Sequence, residues 1–344
     1  MKLRELTAVL LAVMMLISFA ACGSKDDGGQ QGNTDNQGTV TEGSVKTGLA
    51  VVTDLTSSKE AADGNGLAQA DIILVAVTVD GNGVIDDCMI DMVQGKVEFD
   101  GKGQIVTDLA ATFQTKNELG TNYGMNKASS IGKDWHEQAQ ALADYVTGKT
   151  LAEVKGIKIE GGKAADNDLK AGVTMSIAGY IPAIEKAVNN ATDLGAKKGD
   201  VVKLESVTNI AKSAHATAEK DGTAQVYTTV GAFTVNGETI TSSVIDAVQA
   251  NISISAEGKI TSDLKGEVKT KNELGTAYGM NKASSIGKDW FEQAANFAKY
   301  ITGKTITDAA GIAVDESGKA TDADLKAGVT LSIGDFKALV EKIK

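Results

Sequence analysis

An α+β fold, built twice in tandem, is what this sequence predicts, and three observations carry the prediction. Residues 114–150 recur at 269–305, an offset of 155, with 29 of 37 positions identical. Before each copy the apolar residues run in strand-like blocks broken by glycine turns; within and after it they fall at helical spacing. Strands first and helices later, inside each copy, is the order of an α+β unit rather than of alternating βα units. The match extends outward. Asp168-Leu-Lys-Ala-Gly-Val-Thr174 returns as Asp324-Leu-Lys-Ala-Gly-Val-Thr330, so two homologous domains are expected, 47–194 and 199–344.

The chain opens on an address. Residues 1–21 carry Lys2 and Arg4, then an apolar run from Leu6 to Phe19, then the small pair Ala20-Ala21. That is the pattern of a secretory signal. Followed by Cys22, it resembles a bacterial lipobox, which implies cleavage before Cys22 and lipid on its sulfur and amino group. The expected location is the outer face of the bacterial cytoplasmic membrane, with the membrane as partner through that lipid. Residues 22–46, rich in Gly, Ser, Asn, Gln and Asp, read as a flexible tether reaching about 25–30 Å.

In the first unit, Ile72 to Val79 is a strand run, Asp80-Gly-Asn-Gly83 a turn, and Val84 to Met92 a second strand. Val97 to Phe99 and Gln104 to Thr107 flank another turn, Asp100-Gly-Lys-Gly103. The second unit repeats this meander through Thr223 to Val235, the turn Asn236-Gly237, Ile240 to Ala247 and Ile252 to Ile254. Helices follow. Trp135, Ala139, Leu142 and Val146 lie on one face, as do Trp290, Ala294, Phe297 and Ile301. Ser129 or Ser130 is the expected cap. Thr150-Leu-Ala-Glu153 is a capping box. Ile181, Ile184 and Val188, matched by Phe336, Leu339, Val340 and Ile343, mark the closing helices.

Composition removes several functions. The charge of -11 argues against a nucleic-acid partner, which needs a basic footprint. With Cys22 taken up by lipid, Cys88 is the one thiol left, among Val84, Ile85, Met89 and Ile90; a buried strand thiol is expected and no internal disulfide. Gly148-Lys149-Thr150 and Gly303-Lys304-Thr305 look like a P-loop ending, but Ala143 and Ala298 stand where the loop's first glycine belongs, so helix stops explain both. His136 becomes Phe291 in the second unit, and His215 has no histidine counterpart. Asp86, Asp87 and Asp91 read as a solvated face rather than a metal site. No nucleophile–base–orienter set is present, so a catalytic role is not expected.

Two features carry function. The first is the loop 116–135, nearly unchanged at 271–290, mixing Gly, Asn, Ser and Lys with Tyr123, Met125 and Trp135. It suits either a ligand surface or a structural loop folded over the sheet. The second is the Asp168–Thr174 segment and its copy at 324–330. An Asp…Gly-x-Thr segment before a closing helix, behind a Gly-Lys-rich meander and an Ile-Gly-Lys-Asp-Trp helix, resembles bacterial FMN-binding domains. Two such units behind a lipobox resemble the flavin-bearing lipoproteins of extracellular electron transfer. The resemblance covers most of both units. It implies FMN joined through its phosphate to Thr174 and Thr330. Asp168 and Asp324 would mark the motif, Gly172 and Gly328 would make room beside the phosphate, and Tyr123, Tyr278, Trp135 and Trp290 are the candidates to stack on the ring. Ala171 and Ala327 stand where that family has Ser/Thr, and Val173 and Val329 where it has Ala. The function implied is electron carriage to a redox partner; the alternative is a non-redox ligand- or cell-wall-binding lipoprotein, gripping its target through the loop 116–135.

Overall fold

The strand run from Ile72 to Val79 is apolar at nearly every position, and the reason is that both faces of its sheet are covered. Ile72, Leu74 and Ala76 enter one core; Val75 and Val77 enter another. The structure, a computed structural model, describes residues 43–343; the expected signal segment, Cys22 and the expected tether as far as residue 42 lie outside them.

The fold is mixed α and β with antiparallel sheets. In the first half, β1 (Lys46–Asp54), β2 (Gly66–Val79) and β3 (Ile85–Phe99) form a meander. Asp80 sets the β2–β3 turn: its Oδ1 accepts from Asn82 N at 2.8 Å and Val84 N at 2.9 Å. There follow β4 (Thr112–Phe113), α1 (Lys116–Leu119), α2 (Trp135–Val146), α3 (Leu151–Lys155), the ribbon β5 (Ile159–Glu160) and β6 (Lys163–Ala164), α4 (Asn167–Lys170) and α5 (Tyr180–Asn189). The second half repeats the order with β7 (Val201–Asn209), β8 (Gly222–Asn236), β9 (Thr239–Ile254), α6 (Lys271–Leu274), α7 (Trp290–Ile301), α8 (Ile306–Ala310), α9 (Ala323–Lys326) and α10 (Gly334–Lys342). No helix among the described residues is long and apolar enough to cross a membrane.

The two halves do not stand apart. Their sheets face one another across a shared core in which Leu49, Val51, Ile72 and Leu74 meet Val202, Leu204, Val226 and Val230. Helices α2 and α5 cover the outer face of the first sheet, α7 and α10 that of the second. The layers therefore run helices, sheet, sheet, helices. Contacts between the halves come in reciprocal pairs, as across a two-fold axis. Lys186 meets Glu273 at 2.7 Å while Lys342, in the same place on the closing helix, meets Glu118 at 2.6 Å. Ala61 N donates to Gly258 O at 3.1 Å and Ala216 N to Gly103 O at 3.0 Å. β4 of the first half pairs with β7 of the second.

Where the structure departs from the sequence reading, packing is the cause. β1 and β7 open the halves and were not expected as strands. β3 continues from Ile85 to Phe99 through Gly95, where the sequence suggests a break. Gly95 sits opposite β8 of the other half: a Cβ there would lie 2.3 Å from Val226 Cγ1. The glycine marks the close approach of two sheets. Gly95→Ala is expected to cost about 1–3 kcal/mol by overpacking. Adding Val226→Ala should recover part of that cost, and urea midpoints of the two single variants and the double variant measure the coupling.

The helix faces are as expected. Trp135, Ala139, Leu142 and Val146 are buried, as are Trp290, Ala294, Phe297 and Ile301. The α2 cap is not Ser129 or Ser130 but Asp134, whose N–H donates to Glu137 Oε2 at 2.8 Å; Asp289 and Glu292 repeat this before α7. A carboxylate one residue ahead of the helix outcompetes a hydroxyl five residues away. Gly148 and Gly303, at φ +81° and +86°, end α2 and α7 as helix stops, and Thr150 and Thr305 cap the next helices.

Candidate functional site

The loop 116–135 is held from beneath by charge. Lys116 is buried, with its ammonium 4.5 Å from the Tyr123 ring centre and 5.2 Å from that of Trp135. Lys271 repeats this at 4.8 Å from both Tyr278 and Trp290, and adds Tyr227, whose hydroxyl accepts a hydrogen bond from the ammonium at 3.0 Å. Burial pulls the Lys271 pKa down to about 8, with Asp335 and Asp246 pulling the other way. The aromatic faces expected to stack on a ligand are thus turned to a lysine of their own half. Trp135 also packs against Tyr180 at 6.2 Å and Trp290 edge-on to Phe336 at 5.8 Å.

Each half also carries a buried carboxylate, Asp91 in the first and Asp246 in the second. Asp91 accepts from Met92 N at 2.7 Å and Asn117 N at 3.1 Å; Asp246 accepts from Ala247 N at 2.7 Å and Asn272 N at 3.0 Å. Burial outweighs these bonds and pushes both carboxyls up to about 6. Asp91, expected on a solvated face, is instead a buried anchor for α1. Cys88 is buried as expected, and burial pushes its thiol far up, with Asp87 and Asp144 adding to the shift.

The threonines of the flavin-like segment have a protein partner. Gln138, fully buried on α2, accepts at one oxygen from Thr174 N (2.8 Å), Thr174 Oγ1 (3.3 Å) and Met175 N (3.0 Å). Its amide donates to Ser129 Oγ and Lys133 O, both at 3.1 Å. Gln293 does the same for Thr330, Leu331, Ser284 and Lys288. Each glutamine therefore ties the motif segment to the loop in front of it. Asp168 and Asp324 are exposed, and the caps of α4 and α9 are Asp166 and Asp322 instead. At Gly172 a Cβ would lie 3.0 Å from Ala141 Cβ, and at Gly328 3.1 Å from Asn296 Cβ. These glycines let the turn lie on the helix.

Hollows of about 320 and 350 Å3 lie beside the α4 and α9 caps, lined by Tyr145, Lys149 and Asp166 and by Tyr300, Lys304 and Asp322; two roomier ones lie along α2 and α7. In the second half a groove of about 740 Å3 runs between α7 and the free edge of β9, among Val244, Ile245, Phe291, Ala295, Ala298 and Lys299. Thr192 and Leu194, from the segment joining the halves, form one wall. The first half has the matching groove, about 570 Å3, between α2 and β3. There His136 replaces Phe291, Gln140 replaces Ala295 and Asp144 replaces Lys299. Thr174 and Thr330 line neither groove. Each groove holds an orphaned buried atom: Ser243 Oγ in the second half and His136 Nδ1 in the first have no hydrogen-bond partner among the described residues.

Sequence reasoning passed over this site because it followed the identities of the repeat. The signal lay in the differences. Of eight changed positions between 114–150 and 269–305, four in the first copy (His136, Gln140, Ala141 and Asp144) line its groove. His136, Gln140 and Asp144 fall on one face of α2, away from the core, and Ala141 stands at its border. No family model matches the chain, and no curated protein or solved structure matches it.

Proposed function

We propose that this chain is a lipid-anchored extracytoplasmic binding protein, two tandem homologous α+β units fused through a common core, whose ligand site is the groove between α7 and β9. The observation that carries the reading is the divergence of the grooves. The repeat keeps its caps and glutamine ties, exchanges its core only between apolar residues (Leu142 for Phe297, Val146 for Ile301), and changes its chemistry at the outer helix face, where one groove becomes apolar and the other charged. A concave apolar site with a few polar groups is what a ligand pocket requires. The leader at 1–21 and the Cys22 lipobox pattern supply the anchor in this reading, and the protein acts without catalysis, delivering or retaining a ligand at the outer membrane face.

The flavin-carrier reading rests on the resemblance alone, since the threonine hydroxyls, the aromatic faces and the glycines all have structural duties. The two readings separate cleanly. The mature chain, made beside a flavin transferase, is expected to be colourless and to have the mass of its peptide and lipid only. Anilinonaphthalene sulfonate, an apolar anion, should bind and fluoresce. Ala295→Trp, at an exposed position, should weaken that binding at least tenfold, while Thr174→Ala and Thr330→Ala leave it unchanged. A yellow protein with an FMN-sized mass increment lost in the threonine variants would reverse the choice.

A further inference from the structure

We infer that the ligand of the α7–β9 groove is an extended peptide that adds to β9 as a further strand; this rests on the groove being the binding site. The argument is one of backbone direction. Ile245 O accepts from Asn272 Nδ2 at 3.0 Å, so the main chain of Ile245 faces away from β8. Ala247, two residues on, faces the same way, with its N–H on Asp246 Oδ1 at 2.7 Å. The register, Phe233 opposite Ser243 and Gly231 opposite Ile245, puts Ser243 on that side as well. At the far end Ile240 is closed off by Lys304 O at 3.0 Å and Gly303 N at 2.7 Å. Between these two clamps the outward Ser243 N–H and C=O and the Ile245 N–H have no partner among the described residues. They lie along the floor of the groove, beside the orphaned Ser243 hydroxyl.

The first half is the control built into the chain. Its β3 edge has the same clamp, Asn117 Nδ2 on Ile90 O at 3.0 Å. Yet Cys88 N, the counterpart of Ser243 N, is capped by Asp87 Oδ1 at 2.7 Å. Ser242 stands in the place of Asp87 in the second half, and its hydroxyl is turned to Thr234 and Thr47 at 2.7 and 2.6 Å. The two edges differ at one group: the leading outward N–H is held by a carboxylate of its own strand in the first half and is open under an apolar roof in the second. An open edge inside a groove is the geometry of strand addition, in which main-chain bonds hold the peptide and pockets select side chains. The free edge matches about three or four residues at strand spacing. Phe291, Ala295 and Ala298 select apolar side chains, and Lys299, the charged residue of this lining, selects a carboxylate at one end.

The test uses the mature full-length chain, nitrogen-15 labelled, with two probes. One is a library of acetylated tetrapeptide amides, apolar at three positions with Asp at the fourth. The other is the same library methylated at alternate backbone nitrogens. The first library is expected to bind at least tenfold more tightly than the second, to slow hydrogen exchange at the Ser243 and Ile245 amides at least tenfold, and to lose both effects in Ala295→Trp. Equal binding of the libraries, absence of protection at Ser243, or no binding by either would overturn the inference. If anilinonaphthalene sulfonate still binds and Ala295→Trp still weakens it, the groove stands as a site for non-peptide ligands and only the peptide falls. If Ala295→Trp leaves the dye untouched, the groove itself is not the site, and both fall together.

Discussion

Gln138→Leu is expected to cost about 3 kcal/mol of stability, and Gln293→Leu the same, with Thr174→Val and Thr330→Val costing under about 1 kcal/mol each. Leucine fills a similar volume but accepts nothing. Two backbone N–H groups, Thr174 and Met175, lose their acceptor at once, and Lys133 O loses its donor. Each group stranded away from water costs about 1–3 kcal/mol; the half-buried position of Thr174 lets water recover part of it. A threonine hydroxyl at 3.3 Å contributes less, because the main-chain bonds survive its loss. Urea denaturation of the four variants measures this order. If the threonine variants proved the more damaging, the structural account of the segment would be wrong and a chemical role for its hydroxyls would return.

The glutamine ties also show what the sequence could and could not disclose. Helix faces, turns and caps are local, so Trp135 to Val146, the Asp80 turn and the Thr150 box are all readable from spacing. A buried glutamine binding a loop thirty-six residues away has no local signature. The shared core is hidden for a different reason. The apolar run Ile72 to Val79 announces a strand covered on both faces, but the sequence cannot say that the second cover is the other half of the same chain. Gly95 reads as a break for the same reason: its neighbour, Val226, is not near it in sequence. β7 is hidden because two of its buried positions are the polar Ser206 and Thr208, which blur its apolar alternation; β1 is hidden because its apolar run, Leu49 to Val52, is short and follows a polar stretch. The grooves were legible only through subtraction, by asking where two near-identical segments disagree.

Asp91→Asn is expected to make the protein more stable at pH 7.5, by up to about 3 kcal/mol, with the gain gone at pH 4. Burial holds this carboxyl at about 6 against 3.8 for a solvent-exposed aspartate. Between those values the folded chain binds more protons than the unfolded one, so stability falls as pH rises through the interval. Above pH 6 the folded state carries the cost of an ionised, buried carboxylate. Asparagine keeps an oxygen for the Met92 and Asn117 N–H groups without the charge. Asp246 is matched in its partners and in its raised value, but it also supports the Lys271 ammonium, so Asp91→Asn is the cleaner variant. Glu205, which burial pushes up to about 7, with Lys342 acting against the shift and Glu118 and Asp91 adding to it, titrates just above the same window. Removing the Asp91 charge lowers the Glu205 value and narrows that second step. Comparing the two chains at each pH cancels carboxylates remote from Asp91. Unfolding free energies at pH 4, 5.5 and 7.5 should therefore converge on the acid side and separate on the neutral side. Curves that separated in acid instead would mean that hydrogen bonds, not burial, govern Asp91, and that the loop 116–135 is anchored by an ionised carboxylate.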